Sequence, residues 1–70
     1  MTSLEEDYLE QYPGCLKHYW RYLRLGHRRG QAFMNALPME QALLLTGTLV
    51  DPFYQDKNII PAIEYLMEHE

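Results

Sequence analysis

Residues 17–29 read K-H-Y-W-R-Y-L-R-L-G-H-R-R, a stretch with five of the chain's six basic side chains and no acid. Written as a helix, Lys17, Arg21, Arg24 and Arg28 fall at i, i+4, i+7 and i+11, on one face. Leu16, Trp20 and Leu23 keep the same rhythm one step round, with Tyr19 beside them. The spacing predicts an amphipathic helix over 15–25, with an aromatic-aliphatic back for a core and a cationic front for water or a partner. Gly26 is placed to end it as the C′ residue, and Arg24 near the end suits the helix dipole.

The flanks repeat the pattern of short helices and clear stops. Ser3 is an N-cap candidate with Glu6 three residues on, a capping-box spacing. Leu4, Tyr8, Leu9 and Tyr12 then form a stripe, so a helix is expected over 4–12, interrupted by Pro13 and Gly14. Beyond Gly26 a third helix is expected over 28–37, with Ala32, Phe33, Ala36 and Leu37 inward. Pro38 ends it and opens a fourth over 39–45. Leu49 and Val50 are expected as an extended pair of anchors. Asp51 and Pro52 read as a helix-start signal, followed by a single turn that packs Phe53 and Tyr54 inward. Asn58 is expected to cap a last helix over 59–68, with Ile59, Ile63, Leu66 and Met67 inward and a fraying acidic end at Glu68 and Glu70. Strand alternation, internal repeats and low-complexity tracts are absent from the sequence. The expected fold is all-α, a small irregular bundle of four or five short helices in one domain over 1–70.

Charge is distributed in blocks. Residues 1–16 carry four acids, 17–29 carry five bases, and 30–70 carry six acids against Lys57, for a net charge of -4. An acid-base-acid layout can close on itself or pair head-to-tail with a second copy; it steers association more than it sets fold. Cys15 is the only cysteine, so no disulfide framework exists. Helix packing or a second subunit must supply the stability of so short a chain. A lone cysteine suits a reducing compartment. The opening M-T-S-L-E-E-D lacks the pattern of a secretion signal. The longest apolar run, residues 42–45, is far short of a bilayer span. These points give the expectation of a cytoplasmic protein with no membrane partner.

Chemistry-bearing constellations are sparse. Cys15 and His18 share a face at i, i+3, with His27 near in sequence, but a metal needs further ligands and none is placed to join them. A thiolate-imidazole pair would also need an orienting residue and an oxyanion site. Asp51 and Asp56 are near each other, but Asp51 is better explained as a cap. The glycines are too scattered for a phosphate loop. A bundle this small leaves little room for a pocket of about 300 Å³. The expectation is a non-enzymatic protein without metal or cofactor.

The partner-binding candidates are Lys17, Tyr19, Arg21, Tyr22, Arg24, Arg28 and Arg29. The first reading is a regulatory or adaptor domain that docks on a protein, or on a second copy of itself as a homodimer, through a basic face with aromatic flanks. The alternative is a nucleic-acid-binding regulator whose basic segment contacts phosphates while Tyr19 and Tyr22 stack on bases. A helix, a glycine turn and a second helix loosely match helix-turn-helix spacing. Against it, the acidic remainder repels a duplex, and the third helix has few long polar side chains after Arg29.

Overall fold

The Ser3 hydroxyl accepts from the Glu6 backbone N–H at 3.3 Å, and the Glu6 carboxylate accepts in return from the Ser3 N–H at 3.1 Å. This capping box starts α1, Leu4–Glu10, in the computed structural model, which describes residues 3–69. Gly14 turns the chain in left-handed geometry and α2 follows, Cys15–Arg24. It ends in a Schellman motif: Gly26 N–H donates to the Leu23 carbonyl and His27 N–H to the Tyr22 carbonyl, both at 3.1 Å. The Tyr22 and His27 rings close this turn at 5.2 Å between centroids. Then come α3, Arg29–Ala36, and α4, Met39–Leu45. A 3₁₀ turn, Asp56–Asn58, leads directly into α5, Ile59–Glu68. The fold is a compact all-α bundle of five short helices, without strands among the described residues. Its Cα radius of gyration, 10.8 Å, is close to the roughly 11 Å of a folded chain this long.

The third helix is the hub. Gly30, Ala32, Phe33, Met34 and Ala36 are all buried, so more than half of its circumference faces protein, while Arg29 and Asn35 are exposed. It packs closely along α2, while α1 lies against both α2 and α5, and α4 covers α5. Phe33, Leu9, Leu45, Ile59, Ile63 and Leu66 fill the centre.

Several expectations are corrected. The Leu49 side chain is 99% exposed instead of anchoring, while Val50 does rest against the core. Phe53 packs partly inward, but Tyr54 stands out at 74% exposure, edge-on to the Phe53 ring. The reason is Asp51, whose carboxylate accepts from the Phe53 N–H at 2.9 Å and the Gly47 N–H at 3.1 Å. That holds 51–55 as a non-helical corner, and helical turns resume only at Asp56. Asn58 makes no side-chain cap; its amide instead donates to the Asp51 carbonyl at 3.1 Å. Met67 lies outside the α5 stripe, exposed. Glu70 lies outside the described residues.

The corner meets the hub at Gly30. Arg28 precedes α3 without any side-chain cap, and the Asp56 carboxylate takes that role from across the fold, accepting from the Gly30 N–H at 2.9 Å. A Cβ on Gly30 would overlap the Pro52 carbonyl oxygen, which belongs to backbone and cannot swing away. Gly30→Ala is therefore expected to lower stability by about 1–3 kcal/mol, as overpacking does, and Asp56→Ala by about 1 kcal/mol, as the loss of a cap does. Urea unfolding followed by circular dichroism measures both; an unchanged midpoint for Gly30→Ala would show that the corner does not seat there.

Candidate functional site

At 100° per residue, Lys17, Arg21 and Arg24 lie within about 60° of one another on α2. All three are exposed, opposite the buried Tyr19. Among the described residues none of them meets a carboxylate, because the ion pair there is Glu5 with Arg29. The ridge is thus a row of exposed cations without an ion-pair partner among the described residues. It is shorter than the sequence spacing indicated. Gly26 reverses the chain with φ 96°, so Arg28 leaves the row, and its guanidinium donates to the Phe53 carbonyl at 3.2 Å.

Two of the candidate residues serve the interior. One oxygen of Glu5 accepts from the Tyr19 hydroxyl at 3.2 Å and from Arg29 at 2.9 and 2.5 Å. Glu5 is 2% exposed, so its charge would be costly without these donors. Burial, the largest single influence, would raise its carboxyl, but the Arg29 hydrogen bonds, a backbone N–H, the Arg29 charge and the Ser3 hydroxyl together hold it below its ordinary 4.5. Tyr19, buried beside that carboxylate, is pushed up to about 12 and stays neutral. The network joins α1, α2 and α3. Tyr22 is half-buried against His27.

A cleft of about 380 Å³ flanks the ridge, lined by Glu10, Tyr12, Pro13, Gly14, Leu16, Lys17 and Trp20. Trp20 was expected among the core residues; it is 47% exposed and forms the cleft's wall. Its indole N–H donates to Glu6 at 2.8 Å, which fixes the ring at the surface. The same bond is the main reason that the Glu6 carboxyl is held low. A second cleft of about 340 Å³ lies among Met34, Asn35, Ala42, Thr46, Asp51, Phe53 and Tyr54. Both exceed the room expected from chain length. Glu6 as the clamp on Trp20 was not found from sequence, since its capping-box role already explained it.

The Cys15 thiol is buried and raised by desolvation, while His18 is exposed on the next turn. Among the described residues no group of three or more His, Cys, Asp or Glu is placed to hold a metal ion, and no helix is long and apolar enough to cross a membrane.

Removing Arg29 strands the Glu5 carboxylate. Arg29→Ala is expected to cost about 2–3 kcal/mol, less than for a sealed pair because the Arg29 side chain is 57% exposed. Since folding lowers the Glu5 and Glu6 carboxyls, the stability they contribute is complete above 4.5 and is lost as pH falls through their folded values. Urea midpoints of the wild type should therefore drop below that pH, and Glu5→Gln should flatten the drop. An equal acid slope in both would remove the network from the account of stability.

Comparisons with protein-family models, with curated proteins and with solved structures find no match to this chain.

Proposed function

We propose that this is a small non-enzymatic interaction domain that docks on an acidic protein surface through the α2 ridge and its flanking cleft. The observation that carries the reading is the row of Lys17, Arg21 and Arg24, exposed and without an ion-pair partner among the described residues, beside the half-exposed ring of Trp20. Unmatched charges supply orientation and on-rate, and a pinned aromatic beside a groove supplies affinity. Arg28 extends the positive potential from the turn. The action is occlusion or bridging of a larger assembly, and the lone buried thiol suits a cytoplasmic setting.

The nucleic-acid reading has weaker support. α3, the helix that would enter a groove, is buried along most of its surface. Of the two tyrosines expected to stack, Tyr19 is sealed against Glu5 and Tyr22 is half-buried against His27.

The test is a photo-crosslinking phenylalanine analogue in place of His18, an exposed neighbour of the ridge. In the native cell it should give a protein adduct that disappears in Arg21→Glu/Arg24→Glu, while circular dichroism of the double variant stays helical. A nucleic-acid adduct, an adduct indifferent to the reversal, or an unfolded double variant would each overturn the proposal.

A further inference from the structure

Resting on that reading, we infer that the occupant of the α2 ridge is the outer face of α5 from a second copy of this chain. On α5, Ile60, Glu64, Met67 and Glu68 are all exposed. They fall at i, i+4, i+7 and i+8, so they share one side. α5 carries no Lys or Arg, and α2 carries no Asp or Glu. Each helix therefore contributes charges of one sign, with Glu10 of α1 at the edge of the α2 face beside Lys17.

Pitch and apolar content also match. Glu64 and Glu68 are four residues apart, as are Lys17 and Arg21, a rise of about 6 Å in each helix. Ile60 and Met67 border the acids, and Trp20 with the Leu16 side of the cleft borders the bases. Within one chain the two faces do not meet: neither Glu64 nor Glu68 makes an ion pair among the described residues. Among the other acids, Glu5 is buried on Arg29, Glu6 holds Trp20, Asp51 and Asp56 accept from backbone N–H groups, and Glu40 stands singly on α4.

The contact joins two different surfaces, so it is heterologous. It propagates head-to-tail into a ring or an open chain instead of closing as an isologous pair. One helix-on-helix face is small for a stable complex, so association is weak, concentration-dependent and sensitive to salt.

Sedimentation velocity and light scattering on the purified chain test this. The weight-average mass should climb from 8.4 kDa by twofold or more as concentration rises into the range of about 0.1–1 mM. It should return to one chain in about 0.5 M salt, where the Debye length is near 4 Å. Arg21→Glu/Arg24→Glu and Glu64→Arg/Glu68→Arg should each stay monomeric alone, and mixing the two should restore association. Wild type that remains monomeric at low salt, or that associates equally well with Glu64 and Glu68 reversed, overturns the inference. Circular dichroism of the exposed α5 variant checks its fold, and the wild-type salt series stands independently of any variant. A monomeric wild type together with a ridge-dependent adduct to another protein would leave the docking function intact and remove only self-association.

Discussion

One oxygen of the Glu5 carboxylate, shut away from water, takes hydrogen bonds from Tyr19 on α2 and Arg29 on α3. An isolated charge at that depth is heavily disfavoured, so the fold gains stability from keeping these groups of three helices together. The constraint reaches the surface as well. With Tyr19 turned inward, helical geometry turns Lys17, Arg21 and Arg24 outward, because they lie on the opposite side of the same cylinder. The buried Tyr19–Glu5 hydrogen bond and the exterior cationic row are two consequences of one helix orientation.

A second junction positions the other half of the molecule. Asp56 caps α3 at Gly30, and the Pro52 carbonyl fills the space a side chain would need there. Here a polar corner substitutes for a local N-cap, and the hub helix can start at Arg28 and Arg29 with its Gly30 N–H satisfied. The same corner leaves Tyr54 outside and brings the Phe53 carbonyl within reach of Arg28. Loop and basic segment are therefore tied together, although they lie far apart in sequence.

The surface that results is divided by sign. α2 presents bases beside a fixed indole, and α5 presents acids beside Ile60 and Met67. Such a division contributes little to the stability of one chain, since exposed charges are well screened. Its physical effect lies in association, where opposite faces select orientation and speed encounter. An indole held by Glu6 gives up less freedom on docking than a mobile ring would, which favours its use as an anchor.

Local signals were enough for the five helices. Ser3 with Glu6, Gly26, Pro38 and the α5 stripe each act within a turn or two of chain, and the helices over 39–45 and 59–68 have the expected limits. The sharing of one exposed face by Lys17, Arg21 and Arg24 was likewise legible, because helical periodicity alone dictates it. What only tertiary structure decided is which members of each set face inward. Trp20 and Tyr19 are adjacent in sequence and equally apolar in pattern, yet Tyr19 is sealed and Trp20 is half outside, because Glu5 and Glu6 sit where α1 packs against α2. Arg29 looked like one more cation of the ridge until the fold brought Glu5 against it. Asp56 had no role in the sequence beyond its nearness to Asp51, and the fold brings it to Gly30. Each of these assignments depends on a partner from another element, and sequence spacing carries no information about which distant group will arrive.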